Sequence, residues 1–190
     1  TTISTEIFLA DNASMDLAFA SQLSVTNTFE VPQGLKLEMI GTGGGTLSLT
    51  ELKLTGILQF SALDYILRNG TLELNDGSLL DVDYNTIIYS HVVLSGNTTI
   101  DVAQNVSLEY VGNAIDLLNY QLTFLGNGEF LNTNAILLGS ESLLILAGDI
   151  TITLIEVTGN STAGNVAPPG RLKGIRVKSD NVSVTDLTLL

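Results

Sequence analysis

Hard oxygen donors are concentrated in one short run of the chain: Asp76, Asp81, Asp83 and Asn85. Alternate residues of an extended strand share a face. Asp81-Val-Asp83-Tyr-Asn85 therefore sets three oxygen-bearing side chains together and turns Val82 and Tyr84 inward. Carboxylate and amide oxygens at this spacing suit Ca²⁺, which takes roughly six to eight oxygen ligands. The calcium-loop pattern needs a glycine after the third ligand and a later glutamate, and Thr86 stands where that glycine would be. Two readings stay open: a solvated acidic face, or a calcium ion bridging this patch to a neighbour. No other cofactor is expected.

The remaining reactive types are sparse. The single histidine, His91, follows Ser90. Adjacent strand residues point to opposite faces, so the two cannot work as nucleophile and base, and His91 reads as a solvated corner residue. Gly41-Thr-Gly-Gly-Gly45 resembles a phosphate loop in composition, but it runs into the strand pattern Thr46-Leu-Ser-Leu-Thr50 and brings no Gly-Lys pair. Without a helix N-terminus to hold an anion it is a turn. The absence of cysteine excludes disulfides, thiolate zinc sites and cysteine nucleophiles.

Asn12, Asn69, Asn97, Asn105, Asn160 and Asn181 open N-glycosylation sequons. The chain opens on Thr1 rather than Met, as a processed or excised chain would. Sequons at exposed turns fit an extracellular or cell-surface glycoprotein.

The chain has 190 residues, 45% hydrophobic and 14% charged, with a net charge of −13. One domain or one repeat array fits that length, and the apolar content argues against disorder. Seven basic residues against twenty acidic ones argue against nucleic acid as a partner. No run approaches the roughly 18 apolar residues of a membrane-spanning helix. The charge is uneven: residues 1–170 hold three Lys or Arg and eighteen Asp or Glu, whereas residues 171–190 hold four and two. Arg171, Lys173, Arg176 and Lys178 thus gather beside one terminus. They either blunt an exposed sheet edge or dock head-to-tail on an acidic copy.

The elements that carry these groups come from one recurring unit: apolar, any, apolar, any, Gly. It occurs at Leu37–Gly41, Leu52–Gly56, Val92–Gly96, Leu108–Gly112 and Leu122–Gly126, and returns at Ala135–Gly139, Leu144–Gly148 and Ile155–Gly159. Period-two alternation makes each a short strand with one inward row, and Gly with Asn, Asp or Ser after it makes the turn. Uncharged residues at the outward positions Val93, Ile136, Leu138 and Ile145 suit strands covered on both faces. The pattern predicts an all-β chain, a single-stranded parallel β-helix or β-solenoid with irregular coils. A β-sandwich or jelly roll is the alternative, since strands recur in those folds at similar intervals. Ser61–Asp64 fits a helix capping box and also the arm of a strand. Residues 1–160 form the repeat body, 161–170 with Pro168-Pro169-Gly170 a loop, and 171–190 a basic coil of the same domain.

The stretch from Gly174 to Leu190 resembles a coil of the secreted parallel β-helix proteins, the broad pectin-lyase-like class, including surface and adhesin-like members. The resemblance implies a right-handed parallel β-helix and an extracellular setting. Gly174-Ile-Arg176-Val-Lys178 is similar to the Arg-x-Lys element with which polygalacturonases hold a substrate carboxylate. That family also needs clustered aspartates with an adjacent pair and a His between glycines. This chain has no Asp-Asp pair, and His91 sits in Tyr89-Ser-His91-Val. The expectation is therefore a structural protein rather than an enzyme: a self-assembling sheath, fibre or surface-layer subunit forming homo-oligomers or polymers. An adhesin or glycan-binding solenoid is the alternative, and a polysaccharide-active enzyme comes last.

Overall fold

The computed structural model describes residues 1–153, apart from 43, 133, 140, 141 and 148, and beyond them the backbone of six short strands. Residues 1–153 wind about seven turns of an all-β parallel solenoid, with no helix among the described residues. The first turns are Thr2–Ile3 (β1), Ile7–Phe8 (β2) and Ala13–Asp16 (β3), then Gln22–Val31 (β4) and Lys36–Ile40 (β5), then Thr46–Leu54 (β6) and Ile57–Phe60 (β7). Next come Tyr65–Arg68 (β8), Thr71–Leu74 (β9) and Ser78–Val82 (β10), followed by Thr86–Ile88 (β11), His91–Leu94 (β12) and Thr98–Val102 (β13). Ser107–Tyr110 (β14), Ile115–Asp116 (β15) and Gln121–Gly126 (β16) precede Glu129–Asn132 (β17), Ala135–Leu138 (β18) and Leu143–Leu146 (β19). Thr151–Thr153 (β20) leads into Glu156–Gly159 (β21), Asn165–Ala167 (β22), Arg171–Lys173 (β23), Val177–Lys178 (β24), Ser183–Val184 (β25) and Thr188–Leu189 (β26).

Each turn contributes one strand, or half of a long one, to each of three faces. The first face runs β1-β4-β6-β8-β11-β14-β17-β20-β23-β26, and the third runs β3-β5-β7-β10-β13-β16-β19-β22-β25. The second joins β2, the C-terminal halves of β4 and β6, β9 and β12, and resumes as β15-β18-β21-β24. Pairing is parallel throughout, which is why each strand meets its partner only after a full circuit. That circuit is 20 to 24 residues long through β24, where Thr46 pairs with Ile66 and Ser24 with Ser48, and shortens to 18 and 17 residues at β25 and β26. Asn165–Ala167 lies inside the segment read from sequence as a loop and pairs with β19 and β25. Its flanks, with Pro168-Pro169-Gly170, lie outside the described residues.

The core is a set of axial columns. Leu37, Leu58, Leu80, Ile100, Phe124 and Leu146 stack in register on the third face, and Phe29, Leu52, Leu72 and Val92 stack on the second. All are buried. Burial of this apolar surface is the main stabilising term. One polar pair breaks the pattern without cost: the hydroxyls of Ser78 and Thr98 meet at 2.6 Å inside the third face.

Two expectations are corrected. Ile136 and Leu138 are inward, 0% and 2% exposed, whereas Ala135 and Leu137 form the outer row. Both rows of this unit are aliphatic, so no polar residue sets the phase, and the bulkier Ile136 and Leu138 go inside. Val93 and Ile145 do face outward. Tyr84 is also outward, 43% exposed, because β10 ends at Val82 and the chain bends before alternation can carry Tyr84 inside. The segment after Ser61 becomes β8. Asp64 and Asn69 take φ of 57° and 64° at its two ends, which turns the corners and leaves no room for a helix.

Candidate functional site

The chain passes from the third face to the first at Asp64, Asn85, Asn105, Asn127 and Asp149, one residue per turn. At this corner the side chains bond along the solenoid axis. Asn85 Oδ1 accepts the Ser107 N–H at 2.9 Å, and Asn127 Oδ1 accepts the Asp149 N–H at 3.1 Å. Each bond ties one turn to the next, and it fixes the amide plane so that Nδ2 remains as the donor end. Asn105, between them, is exposed and holds a left-handed φ of 63°, which asparagine tolerates. The same device serves the corner entering the third face. There Asn12 Oδ1 accepts from Lys36 N–H, Asn97 Oδ1 from Gln121 N–H and Asp76 Oδ1 from Asn97 N–H.

The amide corner borders an open cleft of about 590 Å³ lined by Asn85, Asn105, Ser107, Asn127, Glu129 and Thr151. A second hollow of about 310 Å³ shares Asn85 and Ser107 with it and adds Asp64, Ile66, Ile87 and Glu109. Together they form one groove across the turns, acidic and amide-rich, with an aliphatic stretch and no cation in its lining. Ser107 Oγ is shut off from water and has no hydrogen-bond partner. Tyr84, exposed, precedes Asn85 in the chain, and Tyr89 stands out from the same face under the Arg68 guanidinium at 5.1 Å.

The four residues read as calcium ligands are not brought to one point. Asp76 and Asn85 sit at opposite corners, each accepting a backbone N–H of the next turn. Asp83 Oδ2 accepts from Gln59 Nε2 at 2.8 Å. Asp81 faces outward between Gln59 and Asp101, its register partners in the neighbouring turns. Burial, then the charges of Asp83 and Asp101, push its carboxyl up to about 6, with Lys36 opposing. Asp101 is raised for the same reasons, burial first and Asp83 second. Among the described residues, no three His, Cys, Asp or Glu side chains converge as a metal-holding group.

Asn12, Asn69, Asn97 and Asn105 are exposed at turns. Asn69 spends its Nδ2 on Ser48 Oγ, 2.8 Å away. Asn160 and Asn181 lie outside the described residues, as does Arg176. The backbones of Arg171, Lys173 and Lys178 belong to β23 and β24. Ser90 is buried and donates to the Asn69 carbonyl, whereas His91 is exposed on the other side of the strand. Of the glycine run, the described residues Gly41, Gly44 and Gly45 fall between β5 and β6, with Gly41 and Gly44 at positive φ.

One break in the second face had no sequence signal. β12 and β15 do not pair, because the Val92 N–H is taken by Tyr110 Oη and Asn113 Oδ1, both at 3.2 Å. Burial pushes the Tyr110 hydroxyl up to about 12, against the pull of hydrogen bonds from the Val92 and Asn113 backbones.

Comparison of the chain with protein-family models, with curated proteins and with solved structures finds no match. Among the described residues no helix is long and apolar enough to cross a membrane.

Proposed function

We propose that this chain is a structural subunit of a self-assembling extracellular protein of the sheath, fibre or surface-layer kind. The observation that carries the reading is the outer row of the third face, Ile57-Leu79-Thr99-Thr123-Ile145, an uncharged stripe in register along five turns. Such a stripe is suited to lateral packing against a sister molecule. A contact between unlike surfaces, repeated without closure, builds a fibre or lattice.

The charge imbalance supports association as well. It sets Arg171, Lys173, Arg176 and Lys178 against an acidic remainder, which orients copies head to tail. The surface location and glycosylation belong to the same proposal, supported by sequons at exposed turns. So does the finer likeness to the pectin-lyase-like class, which rests on Gly174–Leu190. The reading assigns no catalytic role.

Sedimentation velocity with negative-stain microscopy tests it. Concentration-dependent polymers of regular width are expected. Persistent monomers across salt and calcium concentrations overturn the proposal.

A further inference from the structure

Two outward rows cover the third face between β7 and β19. One is the uncharged stripe Ile57-Leu79-Thr99-Thr123-Ile145, and the other runs Gln59-Asp81-Asp101-Leu125 in register beside it. Of these nine positions only 81 and 101 carry charge, and the two carboxylates stand opposite each other on adjacent parallel strands. Like charges so placed work against the sheet that holds them. We infer that packing of this face against a second copy is gated by acid: Asp81 and Asp101 hold copies apart while ionised and let them close on taking up protons. The inference rests on the self-assembly proposed above and adds its trigger.

The surroundings make the pair sensitive to protons. β7 presents the neutral Gln59 to Asp81, and β16 presents Leu125, 40% exposed, to Asp101. Leu79, two residues before Asp81, lies beside it on the same side of the strand. The charged groups nearby are Asp83, one residue past β10, and Lys36 and Glu38 of β5, beyond Gln59. Lys36 is already engaged, with Glu38 at 3.2 Å and with Gln59 Oε1, to which it donates at 2.9 Å. Gln59 Nε2 in turn donates to Asp83. This chain of bonds stops at Asp83, and the only cation near the pair is spent on it. Burial, then the neighbouring carboxylates, raises both Asp81 and Asp101, Asp81 to about 6.

A second copy laid over the face removes the water that the pair still touches. An ionised carboxylate covered in this way has no counter-charge and opposes closure, whereas a protonated one is neutral and both donates and accepts a hydrogen bond. The two protonation states therefore differ in affinity for the partner, which is what a switch requires. Charge also selects the occupant. Two copies of a chain carrying −13 repel each other, and they meet at least cost through a surface that sheds its charge. A basic partner would bind the ionised pair and be released by acid, the opposite dependence. Because protonation favours the closed state, association is strongest below about 6 and is lost as the pH rises through that value.

Sedimentation velocity of the full chain over a concentration series at pH 5.2 and pH 8 tests the trigger. Both values lie above the ordinary carboxyl range of about 4, so most of the acidic surface stays ionised at each. The neutral fraction of a carboxyl at about 6 falls roughly 90-fold between them, and the concentration for half-assembly should rise about ten- to 90-fold with it. Asp81→Asn/Asp101→Asn should assemble at pH 8 as the wild type does at pH 5.2. Glu6→Gln/Glu30→Gln, which removes two charges away from the third face, should keep the wild-type difference. Equal assembly of the wild type at both pH values overturns the gate and leaves self-assembly standing. So does a double Asn variant that assembles no better than wild type at pH 8, or a Glu pair that matches it. Absence of polymers from all three proteins at both pH values overturns the gate and the self-assembly together.

Discussion

Replacing Asp81 by Asn should stabilise the solenoid at neutral pH and do nothing at acidic pH. Asp81 is stacked in register with Asp101 and lies near Asp83, and burial with these two charges pushes its carboxyl up from 3.8 to about 6. A group whose pKa rises on folding favours the folded state in its protonated form. Its contribution is fully present below the unfolded carboxyl value of about 4 and is lost as the pH climbs through about 6. The full displacement corresponds to about 3 kcal/mol. The Asp81 side chain remains in contact with water, and screening reduces the effect to about 1 kcal/mol. For a chain of this size that is about 2–4 °C in melting temperature. Wild type and Asp81→Asn are melted side by side by circular dichroism from pH 4 to pH 8. The overall charge of −13 also relaxes in acid, but it does so in both proteins and cancels in the difference. The variant should melt higher at pH 8, and the gap should close by pH 4. A gap that is flat with pH, or a variant that melts lower at pH 8, refutes the stacked-carboxylate argument.

Four further outcomes follow from the packing. A Cβ at Gly56 would lie 2.2 Å from the Leu35 carbonyl oxygen and 2.3 Å from that of Pro32, so Gly56→Ala should cost about 2–4 kcal/mol in urea titration. Gly77 has open space but a φ of 77°, so Gly77→Ala should cost only about 1 kcal/mol. Asn97→Ala strips the Gln121 N–H of its acceptor and should cost about 1–2 kcal/mol, while Asn97→Asp, which keeps an acceptor, should cost less in the same titration. Leu138→Ala should lose about 2–4 kcal/mol and Leu137→Ser close to nothing in thermal melts; the reverse order would restore the opposite phase of β18.

Much of the strand content is legible in the chain because a polar or small residue alternates with the core row. Leu108-Glu-Tyr110 and Leu122-Thr-Phe124 declare their inward side and are found inside. The length of the circuit is not legible from the glycines. Units ending at Gly41, Gly56 and Gly112 belong to the third, second and first faces respectively, so the intervals between glycines mix steps between faces. Two corners are instead made by Asp64 and Asn105 in left-handed conformations, which leave no glycine to count. Ala135–Leu138 hides its phase because both rows are aliphatic, and Tyr84 hides its exposure because the strand stops two residues earlier. The groove carried one readable signal. Asn85, Asn105 and Asn127 recur at 20 and 22 residues, which is the length of the coil, but the period acquires meaning only once the register is known. The oxygen run at 76–85 was visible as composition, while its dispersal over two corners and a face depends on where β10 ends.

The claim on which the account rests is the register, and the chain's lack of cysteine makes it open to one clean measurement. Thr99 and Thr123 are parallel partners in adjacent turns, both on the outer row of the third face, and Ile145 lies one turn further along that row. Adjacent strands bring Cα atoms to about 4.8 Å, within disulfide reach, and two turns lie beyond it. Under mild oxidation the monomer of Thr99→Cys/Thr123→Cys should lose the mass of two hydrogen atoms quantitatively, and Thr99→Cys/Ile145→Cys should not. Failure of the first pair to close, or equal closure of both, would contradict the parallel coil itself.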